Sequence, residues 1–154
     1  MIYIGYQGIG KSTICKKIDK CIDLESSNFR VDGKRDSDWY KVYGNIAKHL
    51  SDQGKIVFTS AHMELRNYFN EQGIEYTVIY PSENLKEEWI KKLEERYELE
   101  PTQKNMNALL RARTHYCSDI LDFMEEKNGI EKRTVSKRIR RSILFKRSYF
   151  VKFI

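Results

Sequence analysis

The chain has 154 residues, of which 40% are hydrophobic and 32% are charged, and this balance predicts one soluble globular domain. No run approaches the roughly 18 apolar residues of a transmembrane helix, and residues 1–9 resemble a strand and a loop rather than a signal peptide. We therefore expect a cytoplasmic protein without a membrane span. The net charge of +6 is uneven, because residues 127–154 carry ten basic residues and one acidic residue, whereas residues 1–126 are mildly acidic.

Three cysteines, Cys15, Cys21 and Cys117, are spread along the chain without a C-x-x-C spacing. An odd count with this spacing argues against a zinc site and against a disulfide framework. We expect free thiols in a reducing compartment. The three histidines are also isolated from one another, so no metal cluster is predicted.

Over the first half of the chain, short apolar runs alternate with segments whose apolar residues have helical spacing. Strands are predicted over residues 1–5, 21–27, 54–61 and 74–82. Helices are predicted over residues 10–20, 38–52, 63–72, 82–99 and 103–127. This alternation is typical of an α/β fold with a parallel sheet of four to five strands and helices on both faces.

The segment 127–154 differs in composition from the rest of the chain. Its apolar end, "SILFKRSYFVKFI", predicts either a last strand or a basic extension. Basic residues interleaved with aromatic residues suit nucleic-acid backbones and bases, and an anionic membrane surface. A solvated tail is the alternative, and the sequence leaves the choice open.

The loop after the first strand fits the pattern G-x-x-x-x-G-K-[ST], from Gly5 to Ser12. A strand precedes it and a predicted helix follows it, as this motif requires. Backbone amides of such a loop converge on phosphate, Lys11 can bridge the β- and γ-phosphates, and the Ser12 hydroxyl can bind Mg²⁺. The predicted nucleotide-binding residues are Gly5, Gly8, Ile9, Gly10, Lys11, Ser12 and Thr13.

With its middle glycine, Gly8, the string G-x-x-G-x-G-K-S-T resembles the P-loop of small nucleotide and metabolite kinases, such as adenylate, shikimate, gluconate and polynucleotide 5′-kinases. The resemblance is specific over residues 1–20 and looser to about residue 126. The whole chain also resembles short phage and bacterial proteins taken to be nucleoside monophosphate kinase-like. This resemblance implies a P-loop NTPase-type three-layer fold, a kinase domain over 1–126, and ATP and Mg²⁺ as cofactors.

In these kinases the acceptor site lies at the ends of the second and third strands. Asp23 ends the second strand and is a candidate magnesium ligand beside Ser12, with strand-end capping as the alternative. Arg66 resembles the arginine that grips the acceptor's phosphate or carboxylate, with a surface position as the alternative. Tyr40 lies on a different helix face from its aromatic neighbours and is a candidate for base stacking. The predicted substrate-binding residues are Asp23, Ser26, Ser27, Tyr40, His62 and Arg66.

Kinases of this group also place arginines on a lid, which here is predicted within residues 96–116. Arg111 and Arg113 are the candidates, and Lys104 and Arg96 are substitutes for them. Residues two apart on a helix point in different directions, so at most one of the two arginines is expected to face the phosphates. A solvated helix face is the alternative for all four. With Lys11 and Arg66, the two arginines complete the predicted catalytic set.

The chain departs from the family in two respects: no acidic residue ends the third strand, and the "DG-x-P-R" signature is absent. The sequence nevertheless predicts ATP-dependent phosphoryl transfer to a small acceptor, a (deoxy)nucleoside monophosphate above others. A polynucleotide 5′-kinase, or another P-loop enzyme acting on nucleic acid, is the first alternative. A nucleotide-binding module without catalysis is the second.

Overall fold

The computed structural model describes residues 1–126 together with the backbone of three later strands, at 132–135, 143–145 and 149–151. The strands are β1 (Ile2–Gly5), β2 (Cys21–Asp23), β3 (Ile56–Thr59), β4 (Thr77–Pro81), β5 (Lys132–Val135), β6 (Ile143–Phe145) and β7 (Tyr149–Val151). The helices are α1 (Lys11–Cys15), α2 (Trp39–Asp52), α3 (Met63–Glu71), α4 (Lys86–Leu99) and α5 (Gln103–Glu125). Two short 3-10 helices lie at Ser26–Phe29 and Glu83–Leu85.

The main sheet is parallel and has the strand order β2-β3-β1-β4-β5. Ile4 of β1 lies beside Thr59 of β3 on one side and Val78 of β4 on the other. Because the strands are parallel, the segments that follow β1, β2 and β3 emerge at the same edge of the sheet. The predicted α/β fold with a parallel sheet is therefore confirmed, and it is compatible with a three-layer arrangement.

Alternation along the strands divides the core between the two faces of the sheet. Ile2 and Ile4 belong to a large cluster to which α2, α3, α4 and α5 all contribute buried side chains. Tyr3 belongs to a smaller cluster that includes Phe58 and Ile14 of α1. The loop that follows β1 therefore extends from a strand whose residues are buried on both faces of the sheet.

The helix predicted over residues 10–20 is shorter in the structure. It ends at Cys15, where Lys17 N–H donates to the carbonyl of Ile14 and the chain turns towards β2. This turn brings Cys15 beside Cys21, the first residue of β2, with 4.7 Å between the Cα atoms, and the two form a disulfide. The prediction of free thiols is wrong for this pair, while Cys117 is free.

The basic segment contributes backbone to two sheets. Strand β5 lies at the edge of the main sheet beside β4, and β6 pairs with β7 in a separate antiparallel pair. The predicted nucleic-acid contacts depend on side chains that lie outside the described residues. Among the described helices, none combines the length and the apolar character needed to cross a bilayer.

Candidate functional site

Two glycines allow the β1–α1 loop to adopt its backbone conformation. Gly8 has φ of 78° and Gly10 has φ of 96°, both in the left-handed region that other residues rarely adopt. Within the described part of the chain, Tyr6 and Ile9 are the loop residues (6–10) whose amides donate to another backbone carbonyl. The amides of Gln7, Gly8 and Gly10 are thus left for another acceptor.

Helix α4 packs directly against this loop. The Trp89 indole donates from Nε1 to the carbonyl of Gln7 at 2.9 Å, and Lys92 donates from Nζ to the carbonyl of Gly8 at 2.9 Å. A Cβ at Gly8 would lie 3.0 Å from Leu93 Cδ2 and 3.2 Å from Trp89 Nε1. Helix α4 therefore binds the carbonyls of Gln7 and Gly8. The sequence did not predict this contact between α4 and the loop.

Lys11 lies across the end of β1. Its Nζ donates to the carbonyl of Gly5 at 3.2 Å, and a Cβ at Gly5 would be 2.9 Å from Lys11 Cδ. Burial lowers the pKa of Lys11, and the nearby carboxylates of Asp23 and Glu25 oppose that shift. The glycine thus makes room for the lysine side chain, whose ammonium donates to a neutral carbonyl.

Ser12 and Asp23 meet at the end of β2. Ser12 Oγ donates to Asp23 Oδ2 at 2.5 Å, and Asp23 Oδ1 is buried without a hydrogen-bond partner among the described residues. An orphaned carboxylate oxygen beside a hydroxyl fits a hydrated Mg²⁺, which is held in proteins by few side chains and takes its other ligands from phosphate and water. No cluster of three or more metal-ligating residues exists in the described part of the chain, so phosphate would have to complete the shell.

Two basic residues of the predicted lid region lie near this loop. Lys104, in the first turn of α5, forms an ion pair with Glu25 at 2.5 Å. Lys104 and Arg96 each contribute to lowering the pKa of Lys11, after burial. Of the two substitutes predicted from the sequence, Lys104 is thus held beside the end of β2 by its pair with Glu25.

The two first-choice lid arginines have other partners. Arg111 donates from Nε and Nη2 to the buried carboxylate of Asp119, at 2.9 and 2.6 Å. Arg113 pairs with Glu94 of α4 at 2.6 Å, beside a groove of about 280 Å³ between α4 and α5. The two side chains point to different partners, as their spacing predicts, and their catalytic role stays a prediction.

Ser26 and His62 come together next to the end of β3. Ser26 Oγ lies 3.1 Å from His62 Nε2, and Arg35 donates from Nη2 to Ser26 Oγ at 2.9 Å and to its carbonyl at 3.1 Å. The Arg35 guanidinium lies 4.1 Å from the ring centre of Trp39, whose ring also meets His62 edge-on at 4.9 Å. Arg35 was missed from the sequence, because nothing in the polar connection at 28–38 distinguishes it from its basic neighbours.

The remaining predicted residues lie elsewhere. Arg66 is 5% exposed and donates from Nη1 to Glu126 Oε2 at 2.8 Å, beneath Phe123. It thus ties α3 to the residue that follows α5. Its Nε is buried without a hydrogen-bond partner among the described residues, and its contact with an acceptor stays a prediction. Tyr40 packs edge-on against Trp39 and Tyr68. Ser27 is exposed.

No family model and no curated protein matches this sequence.

Proposed function

We propose that this protein binds a magnesium nucleoside triphosphate at residues 5–13 and transfers its terminal phosphoryl group to a small acceptor, a (deoxy)nucleoside monophosphate above others. The observation that carries this proposal is the meeting of Lys11, Ser12 and Asp23 at the carboxyl edge of the sheet. It supports triphosphate binding because one ammonium, one hydroxyl and one carboxylate oxygen without a described partner lie beside a loop in which three amides donate to no backbone carbonyl of the described residues.

Each group at the loop has a separate role in the proposed complex. Amides of Gln7, Gly8 and Gly10 donate to phosphate oxygens. Helix α4 donates hydrogen bonds to two carbonyls of the same loop. Lys11 exchanges the neutral carbonyl of Gly5 for a phosphate oxygen, since a charged acceptor forms the stronger hydrogen bond. Ser12 and Asp23 would hold Mg²⁺, which when bound would supply positive charge against the phosphate oxygens.

The strand order supports the same location. Strand β1 lies between β3 and β4, so the chain leaves it at a point where neighbouring connections diverge, and this is where open parallel sheets bind ligands. The order β2-β3-β1-β4-β5 is compatible with a P-loop NTPase, although a shared fold alone does not establish an activity. The proposal therefore depends on the residues of the β1–α1 loop, and the strand order is consistent with their position.

Transfer requires little covalent chemistry from the protein, because catalysis of this class is mainly positioning and charge stabilisation. Lys104 is a candidate to assist, because it forms a partly exposed ion pair with Glu25 and its charge contributes to lowering the pKa of Lys11, after burial. We expect Lys104 to exchange Glu25 for a phosphate oxygen when the triphosphate binds.

The test is an assay of ATP consumption with each common (deoxy)nucleoside monophosphate, shikimate and gluconate as acceptor. We expect transfer to at least one nucleoside monophosphate, reduced by about 10²-fold or more in Lys11→Ala, since removing one charge-stabilising donor costs this much. Lys17→Ala is the matched control, because Lys17 is exposed and lies just beyond the same helix. Equal turnover in the two variants would refute the proposal.

A module that binds nucleotide without transferring phosphate is the second candidate. It is favoured by the pairing of Arg111 with Asp119 and of Arg113 with Glu94, which leaves neither arginine directed at the loop in this conformation. Saturable binding of MgATP, with no ADP formed in the presence of any acceptor, would select this function over the first.

A further inference from the structure

We propose that Trp89 is a positioning residue for the β1–α1 loop: its indole N–H fixes the peptide between Gln7 and Gly8 so that the Gly8 amide faces the triphosphate. The inference rests on the proposed function, because it names a residue outside the loop on which that binding depends. Trp89 lies in α4, 82 residues from its partner in the sequence, and the glycine motif does not include it.

The loop contains a hydrogen-bonded turn over residues 6–9. Ile9 N–H donates to the carbonyl of Tyr6 at 3.2 Å, which is the bond from the fourth residue to the first that closes a β-turn. The two central residues are Gln7 and Gly8. Gly8 has φ of 78°, whereas φ of Gln7 is not positive. This combination is typical of a type II turn, which favours glycine as its second central residue.

The central peptide of such a turn has two possible orientations. Type I and type II turns differ mainly in this peptide, which is rotated by roughly half a turn between them. Glycine permits both, because it adopts φ of either sign. In a trans peptide the C=O and the N–H point in opposite directions. A flip would therefore put the Gln7 carbonyl oxygen where the Gly8 N–H now lies, and that oxygen would repel phosphate.

Trp89 stabilises one of the two orientations. Its Nε1 donates to the Gln7 carbonyl at 2.9 Å, and the residue is only 6% exposed, so packing holds the donor in place. A Cβ at Gly8 would lie 3.2 Å from the same Nε1, which shows how closely the indole approaches the turn. The Gly8 N–H therefore points away from the indole nitrogen, and it donates to no backbone carbonyl of the described residues.

Removing the indole N–H would leave the central peptide free to flip. Both orientations would then be populated, and only one of them presents an N–H to phosphate. Because the apparent affinity of a ligand falls with the fraction of molecules that are competent to bind it, MgATP would bind less tightly. We expect binding to be about 3- to 10-fold weaker, which corresponds to the net contribution of one hydrogen bond.

The experiment removes the donor and keeps the shape of the ring. The chain has two tryptophans, so a Trp39→Phe background leaves Trp89 alone to be replaced by 3-benzothienylalanine, in which sulfur takes the place of the indole N–H. The matched control is the same Trp39→Phe protein with ordinary tryptophan at 89. Calorimetry with MgATP should show the 3- to 10-fold difference between these two proteins.

A second pair of variants serves if the sulfur analogue disrupts folding. Trp89→Phe removes the donor with part of the ring and should weaken MgATP binding by at least as much. Tyr97→Phe is its control, because it removes a polar group from another half-buried aromatic residue of α4. It should bind MgATP as the wild type does.

The Gly8 amide resonance distinguishes positioning from a general loss of stability. In ¹H–¹⁵N spectra of the protein without nucleotide, the sulfur substitution should shift or split this resonance, because the peptide then samples two orientations. The amides of Gly33 and Gly54, which also have positive φ, are internal controls and should not change.

Equal MgATP affinity with and without the indole N–H, or an unchanged Gly8 resonance, would overturn the inference and leave the proposed function standing. Equal weakening in Trp89→Phe and Tyr97→Phe would also overturn it, because the effect would then belong to α4 in general. Absence of MgATP binding in the wild-type protein would instead refute the proposed function, and this inference with it.

Discussion

The two halves of the candidate site are built in different ways. The β1–α1 loop is shaped by its backbone, with Gly8 and Gly10 in the left-handed region and the loop carbonyls held by α4. The cluster of Ser26, Arg35 and His62 is formed by side chains that meet from two separate segments of the chain. A backbone-built site needs particular residues at particular positions and so leaves a motif, whereas a side-chain-built site needs only tertiary proximity.

Arg66 sharpens this comparison, because the sequence predicts that it binds an acceptor, whereas the structure pairs it with Glu126. Arg66→Ala removes the ion-pair partner of the largely buried carboxylate of Glu126, which keeps its hydrogen bond from Asn70, and breaking a buried pair in this way costs about 3 to 5 kcal/mol. Urea denaturation should show a loss of this size.

Arg113→Ala is the matched control, since its pair with Glu94 is exposed and such pairs contribute about 0 to 1 kcal/mol. Equal stability of the Arg66 and Arg113 variants would contradict a structural role for Arg66 and return it to the acceptor site.

Gly8 tests whether the backbone builds the loop. Gly8→Ala places a methyl group at φ of 78° and against Leu93 and Trp89, so strain and overpacking together should cost about 2 to 4 kcal/mol. The same change should abolish nucleotide binding at concentrations that saturate the wild type.

Gly33→Ala isolates the packing contribution, because Gly33 has φ of 76° but nothing within 4 Å of an added Cβ. It should cost only about 1 to 2 kcal/mol and leave nucleotide binding intact. Equal effects at the two glycines would mean that contact with α4 does not shape the loop.

His62 tests the side-chain half through pH. Its pKa is about 4 in the folded protein and 6.5 ordinarily, so between these values the unfolded chain binds the additional proton. Stability should therefore rise with pH through this window, by at most about 1.4 kcal/mol per unit.

His62→Gln should flatten that slope in the pH dependence of the melting temperature. An unchanged slope in the variant would mean that His62 titrates normally in the folded protein, which would contradict the lowering of its pKa by burial.

Much of the fold was predictable because it depends on local periodicity. The parallel strands and the long α5 follow from apolar spacing, and the glycine motif located the loop. The end of α1 at Cys15 was not predictable, since residues 16–20 have acceptable helical spacing and the turn is stabilised by the neighbouring strand. The sequence could not show which of Arg35 and Arg66 is free to bind a ligand. The partner of Arg66 lies 60 residues away, and Arg35 meets Ser26 only because the connection between them folds back.

The most direct measurement of the central claim is isothermal calorimetry of the wild-type protein with ATP, with and without Mg²⁺. We expect one saturable site that requires Mg²⁺, loss of binding in Lys11→Ala, and weaker binding of MgATP in Asp23→Asn, with the exposed Asp19→Asn unchanged. Absence of heat with MgATP, or binding that is the same in Lys11→Ala, would contradict the account.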